Sequence, residues 1–134
     1  MRLLVTGLSG FLGYALGQIV ENAFEVVATF HEKTPKAFSG SLVWVDLADP
    51  EAVAGSLEVV RPQAVIHMAA ISQPNVCETD QQRTTAVNVE ATADIARWCA
   101  QRRCPLVFTS TDLVFDGAAA PYGETDSTNP LNAY

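Results

Sequence analysis

A chain of 134 residues holds one domain at most, and with 49% hydrophobic against 17% charged residues it buries a core and is not disordered. Its formal charge of −7 argues against nucleic acid as a partner, which calls for a basic patch. No apolar run approaches the roughly 18 residues needed to span a membrane, and the N-terminus lacks the basic region and apolar helix of a signal peptide.

Arg2 to Thr6 is a short apolar run of strand formers closed by glycine. Leu12, Leu16, Ile19 and Val20 then recur near a period of 3.6, which predicts a helix. The stretch Thr6-Gly7-Leu8-Ser9-Gly10-Phe11-Leu12-Gly13 therefore lies where a strand turns directly into a helix. The first N–H groups of a helix are unpaired, and its dipole adds partial positive charge there. A pyrophosphate binds at such a point if no side chain keeps it away. On that reading Gly7 makes the tight turn, Gly10 admits the phosphates and Gly13 lets the helix lie close on the sheet. The spacing is G-x-x-G-x-x-G, one residue longer at the first gap than G-x-G-x-x-G.

Glu25 to Phe30 reads as a second strand and Ser41 to Val45 as a third. Asp49 is placed to cap a helix with Pro50 in its first turn, and Pro62 ends that helix near Arg61. Gln63 to Met68 suits a buried parallel strand, inside which His67 reads as a satisfied core histidine rather than a base. Glu78 to Arg103 is the longest helical candidate, with Val87, Ala91, Ile95 and Cys99 four apart on one face. Pro105 to Ser110 is the next buried strand, and Thr111 to Tyr134 reads as a loop long enough to be functional. Alternating strands and helices predict an α/β fold: a doubly wound parallel sheet of Rossmann type in the order 3-2-1-4-5, with ligands at the carboxyl ends of its strands. Cys77, Cys99 and Cys104 form no CxxC or CxxH pair, and only His31 and His67 could join them. That pattern points to a reduced, cytoplasmic protein without a metal site.

The glycine motif is followed in order by His67-Met68-Ala69-Ala70, Val87-Asn88-Val89 and the run Ser110-Thr111-Asp112-Leu113-Val114-Phe115-Asp116-Gly117. Pro121-Tyr122-Gly123-Glu124 and Pro130-Leu131-Asn132-Ala133-Tyr134 complete the series. Together they resemble the extended short-chain dehydrogenase/reductase family, most closely its dTDP-4-dehydrorhamnose reductase branch. The resemblance covers the whole chain, and Ser110 to Tyr134 carries more of it than the glycines. It implies NADPH- or NADH-dependent reduction of a 4-keto group on a nucleotide-linked 6-deoxysugar, and it is compatible with a homodimer. Related activities are those of nucleotide-sugar epimerases and dehydratases, which recycle their cofactor. A reading of another class is a non-catalytic, nucleotide-binding regulatory subunit, since some relatives of this branch bind a partner enzyme instead.

The resemblance makes Thr111 the residue that hydrogen-bonds the substrate carbonyl and Tyr134 the proton donor. It assigns the cofactor to Gly7, Ser9, Gly10, Phe11, Leu12 and Gly13, to the floor Met68, Ala69 and Ala70, and to Asp46 and Leu47 beside adenine. Asn88 would stabilise the active-site backbone. At the end of the second strand Thr29-Phe30-His31-Glu32-Lys33 offers both signs. No acid stands directly at the strand end for the 2′-hydroxyl of NAD, while His31 and Lys33 could meet the 2′-phosphate of NADP, a weak preference for NADP. Leu113 stands where the branch often has an aromatic residue. The family's lysine falls four residues after its tyrosine, beyond Tyr134. A tyrosine with an ordinary pKa near 10 needs a downward shift of about three units, roughly 4 kcal/mol, to work near neutrality. Residues 1–134 are thus expected to be the cofactor half of such an enzyme, cut at its catalytic tyrosine, inactive alone and without the substrate-binding part.

Overall fold

The computed structural model describes all 134 residues. Five strands, β1 (Arg2–Thr6), β2 (Glu25–Phe30), β3 (Ser41–Trp44), β4 (Ala64–His67) and β5 (Leu106–Phe108), form one sheet in the order β3-β2-β1-β4-β5. All four pairings are parallel, so the expected Rossmann-type order and the crossover at β1 hold. Successive residues of β1 face opposite sides of the sheet. Leu3 and Val5 pack with Leu8 and with Val20 of α1 (Phe11–Val20), whereas Leu4 packs with Val53 and Leu57 of α2 (Pro50–Val60) on the other face. A sheet covered on both faces explains why its central strands read as continuous apolar runs. The last strand, β5, was expected to be buried and is not, with Val107 59% and Phe108 50% exposed. It pairs on one edge only and is followed by a loop segment rather than a covering helix.

Asp49 caps α2 as expected, its carboxylate accepting from Glu51 N (2.9 Å) and Ala52 N (3.3 Å). The long helix begins earlier than Glu78 and comes in pieces: α3 (Pro74–Thr79), α4 (Gln81–Thr84), a π-helical turn over Thr85–Glu90 and α5 (Ala91–Arg102). Pro74 suits a first turn, and Asp80 breaks the run by accepting from Arg83 N at 3.1 Å, a local bond that competes with helix continuation. The predicted buried face survives, with Val87, Ala91, Ile95 and Cys99 all in the core. The final segment is more ordered than a plain loop. After a single 3₁₀ turn at Asp112–Val114, Phe115 stacks on Tyr122 with centroids 4.3 Å apart. Asp116 accepts from Tyr122 Oη, Ala118 N and Asn129 Nδ2, bonds that hold its carboxyl down to about 2. All three cysteines are free, and no helix is long and apolar enough to cross a membrane.

His67 is fully buried, and its partners fix its tautomer. Thr6 Oγ1 accepts from Met68 N and Ala69 N, each at 3.1 Å, so its own proton goes to His67 Nδ1 at 2.6 Å. Thr92 Oγ1 donates to Asn88 O (2.8 Å) and so accepts from His67 Nε2–H at 3.0 Å. The neutral ring satisfies both neighbours, and burial pushes its pKa down to about 4. Protonation would set an N–H against the O–H of Thr6. Because the folded pKa lies below the ordinary 6.5, the unfolded chain takes up the proton first and stability falls with pH between 6.5 and 4. By pH 5 the loss from this group alone reaches about 2 kcal/mol. Urea midpoints at pH 7.5 and 5 check it, with His67→Asn expected to flatten the profile. Asp49→Ala is expected to cost about 1 kcal/mol in the same assay at pH 7.5.

Candidate functional site

The carboxyl ends of β1, β2, β4 and β5 open into one cleft of about 660 Å³. At its centre the chain leaves β1 and turns at Gly7, whose φ of +77° favours glycine. A Cβ there would lie 2.7 Å from Ala69 N and from Met68 C, so the turn crosses directly over the residues after β4. Gly13 has a different role from the one expected. Its absent Cβ would fall 2.2 Å from Gly7 O and 2.5 Å from Leu8 Cα, so the first turn of α1 packs on the glycine loop itself rather than on the sheet.

Gly10 is the N-cap of α1 and offers no side-chain hydrogen bond. The N–H groups of Phe11, Leu12 and Gly13 have no acceptor within the protein. They stand where the cleft is lined by Gly7, Ser9 and Gly10, and the side chain of Phe11 is 96% exposed. Three unpaired donors at the positive end of a helix make a site for an anion.

Below this loop Met68, Ala69 and Ala70 form the floor. Asn88 clamps the next residue on both sides, its Oδ1 accepting from Ile71 N (2.8 Å) and its Nδ2 donating to Ile71 O (3.0 Å). Asn88 lies in the π-helical turn, whose wider winding lies beside the floor. Thr111 and Tyr134 line the same cleft. Thr111 Oγ1 also accepts from Leu113 N at 3.2 Å, so it caps the 3₁₀ turn while facing the cleft.

At the far end, after β2 and β3, His31, Lys33, Asp46 and Leu47 line the wall. Asp46 is held by Ala48 N (2.9 Å), by Arg83 Nη2 at 3.2 and 3.4 Å, and by His31 Nε2 at 3.6 Å. The Ala48 N–H, then Arg83 and the neighbouring His31, keep its carboxyl below the usual range against a desolvation effect that opposes them. All fourteen site residues expected from the sequence thus border one cleft. Sequence reasoning missed Arg83. Its one cue is that it is the only Lys or Arg between Arg61 and Arg97.

Comparison with known proteins gives a consistent answer. Residues 1–134 match the family model described as RmlD substrate binding domain. The methionine adenosyltransferase 2 subunit beta of Xenopus tropicalis is 32% identical over 134 residues, 99% of this chain and 39% of its own length. A crystal structure of a hypothetical dTDP-4-dehydrorhamnose reductase from Sulfolobus tokodaii superposes with a TM-score of 0.92 at 31% identity, over 100% of this chain and 48% of that one. The UDP-glucose 4-epimerase of Brucella ovis, solved with NAD, gives a TM-score of 0.82 at 25% identity, over 99% of this chain and 43% of its own. The chain spans about two-fifths to one-half of these proteins. With every residue matched by the family model and the fold superposing on a hypothetical dTDP-4-dehydrorhamnose reductase, the chain belongs to the RmlD family of extended short-chain dehydrogenase/reductases.

Proposed function

We propose that residues 1–134 are the cofactor half of an NAD(P)H-dependent reductase acting on the 4-keto group of a nucleotide-linked 6-deoxysugar. The observation that carries this reading is the run of unpaired N–H groups at Phe11, Leu12 and Gly13, open to the cleft that also holds Thr111 and Tyr134. These donors fit a dinucleotide's diphosphate, and no side chain caps them. Met68, Ala69 and Ala70 would underlie the nicotinamide side, and Asp46 with Leu47 would meet adenine. His31 and Lys33 favour a 2′-phosphate, hence NADP over NAD. A bound nicotinamide supplies the hydride. Thr111 orients the substrate carbonyl through its hydroxyl, and Tyr134 gives the carbonyl oxygen its proton. The Brucella ovis relative, solved with NAD, supports a nicotinamide cofactor.

A second reading has its own support. The Xenopus tropicalis relative is named as a subunit of methionine adenosyltransferase, which points to a nucleotide-binding partner subunit rather than a keto-sugar reductase.

Titration of the intact protein with NADPH and NADH, followed by nicotinamide fluorescence, is expected to saturate. Gly10→Val places methyl groups over the free N–H groups, where even a Cβ lies 3.3 Å from Gly7 O, and is expected to weaken binding at least about tenfold. Oxidation of NADPH with a dTDP-4-keto-6-deoxysugar is expected, with Tyr134→Phe lowering kcat by about 10²-fold or more and leaving cofactor Kd within about threefold. Saturable binding without turnover on any keto-sugar nucleotide removes the reductase reading and favours the partner-subunit one, and no binding at all removes both.

A further inference from the structure

Asp46 sets a problem at the adenosine end of the cleft. A carboxylate there, left to itself, repels a 2′-phosphate: two negative charges against one at about 6 Å in water correspond to roughly a tenfold loss of affinity. The protein carries an answer on a distant element. Arg83, in α4, reaches Asp46 across 37 positions of sequence and places Nη2 3.2 Å from Oδ1 and 3.4 Å from Oδ2. Both carboxylate oxygens are thereby engaged, with His31 Nε2 at 3.6 Å on Oδ2. Arg83 spends only Nη2 on this contact. Its Nε and Nη1 donate to nothing in the protein, and its side chain is 42% exposed on the cleft wall that also holds His31, Glu32, Lys33 and Asp46. One guanidinium can therefore cancel the charge of Asp46 and still offer N–H groups to an anion, as its fork of donors allows.

We propose that Arg83 is the residue that sets the preference of this site for a 2′-phosphorylated adenosine, by neutralising Asp46 and presenting its remaining N–H groups to the phosphate. This rests on the dinucleotide reading of the cleft and extends it to a residue outside the β2 end, where such selectivity is usually sought. It also gives the lone cation of the segment between Arg61 and Arg97 a task that the pyrophosphate loop leaves undone.

The experiment measures Kd for NADPH and for NADH on the intact wild-type protein, Arg83→Gln and Arg83→Lys. In Arg83→Gln the preference for NADPH over NADH is expected to fall at least tenfold, with the loss on NADPH. Arg83→Lys, which keeps the charge but not the fork, is expected to lie between. Binding of NADH by each variant reports that it is folded. An equal loss for both cofactors, no change in the ratio, or Arg83→Lys falling as low as Arg83→Gln overturns the assignment. So does a wild type that binds NADH but prefers it to NADPH, which leaves the dinucleotide reading standing. A wild type that binds neither overturns both.

Discussion

The site depends on a buried line of hydrogen bonds that runs through His67. It starts at the N–H groups of Met68 and Ala69, passes through Thr6 Oγ1, the His67 ring and Thr92 Oγ1, and ends on the carbonyl of Asn88. Each member donates in one direction only, so a single neutral tautomer satisfies the whole line. Thr6 and His67 are 61 residues apart, yet they close the ends of β1 and β4, the two strands between which the sheet order switches. The side chain of Asn88 continues the constraint by holding Ile71 through its own N–H and C=O. Strand end, floor and helix are therefore fixed relative to one another before any ligand arrives. A buried polar network of this kind stabilises a fold only when every member is paired, and the members here are.

That rigidity permits the close approach above it. Gly7 passes so near Met68 and Ala69 that no Cβ fits between them, and the first turn of α1 lies on the Gly7 carbonyl through Gly13. A floor free to shift by a fraction of an ångström would not keep the donors of Phe11, Leu12 and Gly13 aimed at one point. The candidate anion site is thus made of backbone held by side chains buried beneath it. Its chemistry is general for a diphosphate, and discrimination falls to the side chains at the two ends of the cleft.

Much of this was legible in the sequence because it is local. The apolar runs of β1, β2 and β4, the Asp49-Pro50 start of α2 and the glycine spacing each declare themselves within a few residues, and the alternation of strands and helices supplies the sheet order. The satisfied state of His67 followed from its place in a buried strand, although its partners Thr6 and Thr92 did not. Pairings over long separations stayed hidden: Arg83 with Asp46, and the identity of Ile71 as the backbone that Asn88, given a stabilising role by the resemblance, holds. The π-helical turn was masked by an apolar period that starts within it, Val87 and Ala91 being four apart, while the break at Asp80 falls in a polar stretch, Glu78 to Thr85, where no apolar spacing reports the winding. In the final segment the turn-forming residues argued for a loop, and only the stacking of Phe115 on Tyr122 over Asp116 shows how that loop is held.

The division between backbone and side chain bears on how a reductase and a partner subunit can share one fold. Diphosphate anchoring asks only for the glycines, the free N–H groups and the network through His67. Under the proposed reading, proton delivery would ask in addition for Tyr134 and the hydroxyl of Thr111, both in the segment after β5, which is tied to the helices by a hydrogen bond from Ala133 N to Glu78 Oε1. Thr111 already spends one acceptor position on Leu113 N, and its proton meets only Asp112 at a long 3.4 Å, so it is free to turn toward a carbonyl in the cleft. A chain can thus lose the chemistry of this segment and keep its nucleotide, because the two functions are held by different contacts. On the proposed reading, affinity for the dinucleotide would report on the framework and turnover on the segment that holds Thr111 and Tyr134, so the two must be read separately.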